Sequence, residues 1–122
     1  MDQIKILWVD DEIDLLKPHI LFLEKKNYNV TTCNNGRDAV DMFDEGNFDI
    51  VFLDENMPGM SGLELLSKIR KEYDIPPPVV MMITAYGDDK NHEQAMNNGA
   101  DDFLTKPLDF NLLKEKLKPF VQ

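Results

Sequence analysis

The chain is poor in three things, and each shortage removes a class of protein. There is one cysteine among 122 residues, so no internal disulfide can form. Cys33 reads as a small buried or half-buried strand residue instead. No apolar run approaches the ~18 residues of a membrane helix, and no secretory apolar segment opens the chain, which points to a soluble cytoplasmic protein. Basic residues are also scarce, 13 Lys and Arg against 23 Asp and Glu, for a net charge of -10. A surface of that sign does not displace the counterions of nucleic acid or dock on an anionic membrane, so direct binding to either is not expected, whereas divalent cations and basic partners fit. Repeats and low-complexity tracts are missing as well. The 43% of hydrophobic residues is enough for residues 1–122 to bury a core as one domain.

Strand and helix patterns alternate along the chain. Ile4–Val9 reads as a strand, and Ile13, Leu16, Ile20 and Leu23 then recur at helical spacing, with Pro18 tolerable only in about the first turn. Val30–Cys33 is a short second strand, followed by a helix that opens near Asn35-Gly36 and carries Ala39, Val40 and Phe43. Phe48–Leu53 is a third strand. Pro58-Gly59-Met60-Ser61-Gly62 is turn chemistry, and Ser61 with Glu64 makes a capping box for a helix bearing Leu65, Leu66 and Ile69. After Pro76-Pro77-Pro78, Val79–Thr84 is a fourth strand. Glu93–Asn98 is a short helix stopped at Asn98-Gly99, Asp102–Thr105 a fifth strand, and Phe110, Leu113, Leu117 and Phe120 stripe a last helix. Five strands alternating with five helices predict an open, mostly parallel α/β sheet covered on both faces. Trp8 and Met81-Met82 fall in strands and read as core.

The chemistry gathers where such a sheet binds ligands, beyond the carboxyl ends of strands at the point where strand order reverses; in a 2-1-3-4-5 sheet that point lies between strands one and three. Strand one ends in Asp10 and Asp11, and strand three in Asp54. Three carboxylates held together are costly without a cation. Hard oxygen ligands with no histidine or cysteine nearby suit Mg²⁺. The same edge receives Thr84 from strand four and Lys106 from just past strand five. A carboxylate nucleophile, a metal, a hydroxyl and an ammonium are what in-line phosphoryl transfer needs. His19 and His92 lack a partner at ligand spacing and read as surface or helix-packing residues.

In this order and at these spacings, Val9-Asp10-Asp11-Glu12, Leu53-Asp54-Glu55-Asn56-Met57-Pro58-Gly59-Met60-Ser61-Gly62, Ile83-Thr84-Ala85 and Phe103-Leu104-Thr105-Lys106-Pro107 resemble the receiver domains of two-component response regulators, including the chemotaxis response regulators. The resemblance covers essentially the whole chain. It implies a (βα)5, flavodoxin-like fold and a phosphoacceptor rather than a conventional enzyme. Asp54 would take a phosphoryl group from a phosphohistidine on a sensor kinase or phosphotransfer protein, with self-phosphorylation and autodephosphorylation its only intrinsic activities. Asp10 and Asp11 would hold Mg²⁺ with Asp54 and the backbone carbonyl of Asn56, while Lys106 and Thr84 would meet phosphoryl oxygens. Phe103 matches the aromatic switch that follows Thr84 and carries the change to the face of helix four, strand five and helix five. Phe for the frequent Tyr is a departure there. Lys106-Pro107 matches a commonly cis peptide bond. Asn56 and Tyr86 would flank the hydrolytic water and tune the lifetime of the phosphorylated state.

The output would pass to an effector domain or protein, from a chain acting alone or within a longer regulator, as a monomer or a weak phosphorylation-dependent dimer. Two rivals differ in class. A haloacid-dehalogenase-type phosphatase requires D-x-D after its first strand and usually a cap, whereas position 12 is Glu12 and the chain is short. A pseudo-receiver would serve only as an interaction module, but such chains usually lose an acid, the threonine or the lysine, and this one keeps them all.

Overall fold

The computed structural model describes residues 3–45, 48–55, 57, 59–72, 79–84, 93–94, 96–97, 99–106 and 108–120. Its strands are β1 (Lys5–Val9), β2 (Asn29–Cys33), β3 (Ile50–Asp54), β4 (Val79–Thr84) and β5 (Asp102–Thr105). They form one parallel sheet in the order β2-β1-β3-β4-β5, the order expected of the alternating pattern. Bounded helices are α1 (Lys17–Lys25), α2 (Gly36–Glu45), α3 (Gly62–Glu72) and a C-terminal helix, Phe110–Leu117. Within the expected helix Glu93–Asn98, residues Glu93, Gln94, Met96 and Asn97 have helical backbone, and Ala95 and Asn98 lie outside the described residues.

Side chains alternate across each strand and so divide the core into two layers. Leu7, Val9, Val51, Leu53, Val80 and Met82 face Ala39 of α2 and Leu65, Leu66 and Ile69 of α3. Ile6, Trp8, Ile50, Phe52, Met81 and Ile83 face Leu23 of α1 and Leu113 and Leu117 of the C-terminal helix. Both faces are therefore covered, which is why β1, β3 and β4 read as nearly continuous apolar runs. Trp8 and Phe52 meet edge-to-face with ring centroids 5.0 Å apart, a geometry worth about 0.5–1.5 kcal/mol beyond the area it buries.

Local signals account for most element ends. Pro18 sits in the first turn of α1, where the missing N–H has no intrahelical partner to lose. The expected single helix from Ile13 is instead a 3₁₀ turn, Ile13–Leu16, joined to α1; the apolar spacing is satisfied by either, and a proline sets where the wider helix begins. Asn27 ends α1 with φ 72, and its N–H and that of Tyr28 donate to the carbonyls of Glu24 and Leu23. This is the double closure that lets a left-handed residue stop a helix. Ser61 Oγ accepts from the Glu64 N–H at 3.2 Å and donates to Glu64 Oε1 at 3.4 Å, as its cap position requires. In the last helix Leu113 and Leu117 are buried, but Phe110 remains 40% exposed, and Lys118–Phe120 tightens into a 3₁₀ turn.

Candidate functional site

The parallel register brings the reactive groups together. Val9 pairs with Leu53, so the next residue on each strand places Asp10 beside Asp54. Asp54 in turn pairs with Ile83, and Thr84 with Thr105. Thr84 and Lys106 thus lie one step beyond their neighbours on the same edge, and the Lys106 N–H continues the ladder to the Thr84 carbonyl at 2.9 Å. Four separate segments deliver four polar groups to one place.

Asp10 is fully buried and Asp54 is 3% exposed. Asp10 Oδ1 accepts from the Glu12 N–H at 2.8 Å, which fixes the carboxylate and turns Oδ2 into the site. That oxygen is buried and has no hydrogen-bond partner among the described residues. Lys106 Nζ stands 3.4 Å from it, an ion-pair distance, and 3.2 Å from Asp54 Oδ1. One oxygen from each of Asp10, Asp11 and Asp54 lies within 4.8 Å of the others. Among the described residues, three carboxylates therefore share one ammonium.

The imbalance is visible in the ionisation of the groups. Burial, then repulsion from Asp10, lifts the Asp54 carboxyl from its ordinary 3.8 to about 6; Lys106 opposes both and Asp11 adds to the rise. Burial pulls the Lys106 ammonium down, but attraction to Asp54 and Asp10 outweighs it and leaves the pKa above the ordinary value. The lysine is thus held charged while its carboxylate neighbours are short of positive charge. A buried carboxylate oxygen that shares one ammonium and has no hydrogen bond among the described residues, in an acid-rich cluster, fits a hard divalent cation such as Mg²⁺, which takes carboxylates and keeps its own waters.

The family model for the response regulator receiver domain matches residues 6–118. The chain belongs to that family. The receiver is 34% identical over 119 residues to the regulatory protein VanRB of Enterococcus faecalis, covering 98% of this chain and 53% of VanRB. It spans about half the length of the curated relatives it matches. Among solved structures it superposes on the chemotaxis protein CheY4 of Vibrio cholerae with TM-score 0.88 and 27% identity, covering 98% of this chain and 100% of that one. TrrA of Thermotoga maritima, solved in complex with Mg(2+)-BeF, matches with TM-score 0.82 and 35% identity over 96% of this chain and 98% of that one. The family is one of signalling domains in two-component systems, not of classical enzymes. Among the described residues no helix of the receiver is long and apolar enough to cross a membrane.

Of the residues expected at the receiver's site, Asp10, Asp11, Asp54 and Lys106 converge directly. Thr84 is fully buried, and its hydroxyl donates to the Leu104 carbonyl at 3.4 Å. Phe103 is partly buried against the α2/α3 layer, with Lys116 Nζ 5.9 Å from its ring centre. Asn56, Tyr86 and Pro107 lie outside the described residues, and with them the carbonyl ligand, the lifetime pair and the Lys106-Pro107 bond. One positioning residue escaped the sequence reading: a Cβ on Gly62 would lie 2.3 Å from the Asp54 carbonyl oxygen. Only glycine lets the start of α3 press this closely on the end of β3. Its signal was a helix-weakening residue directly after a serine cap.

Proposed function

We propose that Asp54 accepts a phosphoryl group from the phosphohistidine of a sensor kinase or histidine phosphotransfer protein, and that residues 1–122 act as one receiver domain. The observation that carries this is the Asp54 carboxylate, buried at a strand end, 3.2 Å from Lys106 Nζ and within 4.8 Å of Asp10 and Asp11. An Asp54 carboxylate oxygen attacks phosphorus in line, the P–N bond to the donor imidazole breaks as the new O–P bond forms, and the imidazole leaves with the electron pair. Lys106 offsets charge on the transferring oxygens. Thr84 turns its hydroxyl from the Leu104 carbonyl to a phosphoryl oxygen, and Phe103 follows it inward. Asp10, Asp11 and Asp54 would hold a Mg²⁺ ion, which would supply the positive charge that offsets repulsion between carboxylate and phosphate.

The altered surface of β5 and the C-terminal helix then biases an effector domain or partner protein, a two-state shift rather than a new fold. The test is labelling by acetyl phosphate with Mg²⁺. The parent takes up acid-stable, base-labile phosphate and Asp54→Asn takes up none while staying folded, since the amide is nearly isosteric. Undiminished labelling of Asp54→Asn would move the acceptor to another residue, and an unlabelled parent would make the chain a pseudo-receiver.

A further inference from the structure

We propose that His19 is a positioning residue for Lys106: from α1 it fastens the loop that carries the ammonium, and so keeps that ammonium between Asp10 and Asp54. The inference rests on the phosphoacceptor reading above and adds to it a control exerted from a helix outside the acid cluster.

A lysine has a long, flexible stem, so where its charge sits depends on how its backbone is held. On the entering side, the Lys106 N–H is tied to the Thr84 carbonyl. Two residues further on, the Leu108 carbonyl accepts from His19 Nε2 at 2.8 Å. A carbonyl only accepts, so Nε2 carries the proton. Immediately afterwards Asp109 caps the C-terminal helix by accepting from the Asn111 N–H, and Phe110, its first residue, stacks on the His19 ring with centroids 4.6 Å apart. Phe110 also meets Phe22 of α1 at 5.0 Å. His19, Leu108, Lys106 and Asp10 line one groove of about 470 Å³. Lys106 is thus tied to β4, and Leu108, two residues further on, to α1.

Packing alone does not explain a histidine here. Its Nδ1 is buried without a hydrogen-bond partner among the described residues, a cost that a phenylalanine stacked on Phe110 would avoid. What the imidazole supplies in return is one N–H, and that N–H is aimed at the loop of Lys106.

Two substitutions divide the ring's contributions. His19→Phe keeps the stack and removes the donor; His19→Gln keeps an N–H at similar reach and removes the ring. With acetyl phosphate and fixed Mg²⁺, His19→Phe lowers the labelling rate constant of Asp54 by about three- to tenfold, the scale of a small misplacement of a reacting group. His19→Gln recovers most of that rate. In a Lys106→Ala background, which is itself slow, His19→Phe lowers the rate no further. The amide resonance of Lys106 in the unphosphorylated protein provides a second reading: it moves in His19→Phe and returns toward the parent position in His19→Gln. An unchanged rate and resonance in His19→Phe, with the parent labelled and Lys106→Ala impaired, would overturn the clamp and leave the phosphoacceptor reading intact. Equal falls in both backgrounds would overturn it too, by showing that His19 acts on the fold and not through Lys106. Failure of the parent to label would instead remove the reading on which the clamp rests.

Discussion

The two edges of the sheet use the same residue types to opposite ends. At the amino edge, Asp49 Oδ2 accepts from the Lys5 N–H at 2.8 Å. Asp101 Oδ2 accepts from the Val80 N–H at 2.8 Å and from Arg70 Nη2 at 2.9 Å, while Arg70 Nε donates to the Gly99 carbonyl. These aspartates are exposed, and each closes the start of a strand by matching an N–H that the ladder leaves over. At the carboxyl edge, Asp10 and Asp54 are buried, outnumber with Asp11 the one cation that the described residues supply, and leave an oxygen with an ion pair but no hydrogen bond among those residues. An aspartate whose lone pairs are filled from within its own fold stabilises that fold. One that is buried and left short of donors opposes it, and awaits something from outside.

The contrast predicts that removing charge has opposite effects on stability at the two edges. The largest effect is expected at Asp54. A carboxyl with pKa raised from 3.8 to about 6 binds a proton in the folded state more readily than in the unfolded one, so the contribution of Asp54 to metal-free stability is most favourable below about pH 4 and is lost as pH rises through about 6. Asp54→Asn removes that slope and stabilises the metal-free protein at neutral pH by about 2–3 kcal/mol. Urea denaturation across pH 4 to 8, done in EDTA, measures it; a parallel pH profile in both proteins would break the comparison. The reverse is expected for Asp101→Ala. Stripping an acceptor from the Val80 N–H and from Arg70 should cost about 1–2 kcal/mol, with Mg²⁺ affinity unchanged. A stabilised Asp101→Ala, or one that binds Mg²⁺ more weakly, would erase the distinction between edges.

Smaller changes sharpen it. Asp11 is exposed, so Asp11→Asn should weaken Mg²⁺ binding by roughly tenfold through lost ligand charge while raising metal-free stability only slightly; calorimetric titration gives the affinity. Equal affinity in mutant and parent would mean that Asp11 is not a ligand. Least of all is expected from Lys116→Met. Its 2.9 Å bridge to Asp102 joins side chains 30% and 36% exposed, so its loss should change stability by under about 1 kcal/mol, measured by the same denaturation.

Much of this is legible in the chain itself. Strand ends are short-range events: Val79–Thr84 and Asp102–Thr105 fall where the apolar runs stop, and parallel register then carries Asp10, Asp54, Thr84 and Lys106 to one edge as topology requires. Pro18 marked its own place in α1. Contacts that depend on how layers pack were not legible. Nothing near His19 in sequence names Leu108, 89 positions away. Turn chemistry at Gly62 is equally good whether or not a carbonyl presses against it. The amino-edge aspartates were missed for a related reason, since Asp49 and Asp101 resemble any polar residue before a strand until their N–H partners are known.

Trp8 gives the molecule a built-in optical probe. It is the single tryptophan of the chain, wholly buried on β1 in an edge-to-face pair with Phe52 and two residues ahead of Asp10, which directly follows the strand. Its emission should lie at short wavelength in the native state and move to the red on denaturation, reporting the sheet's centre with no competing indole. Because the strand that holds it ends in the acid cluster, the same signal can be followed during cation titrations without attaching a dye to an otherwise sensitive surface.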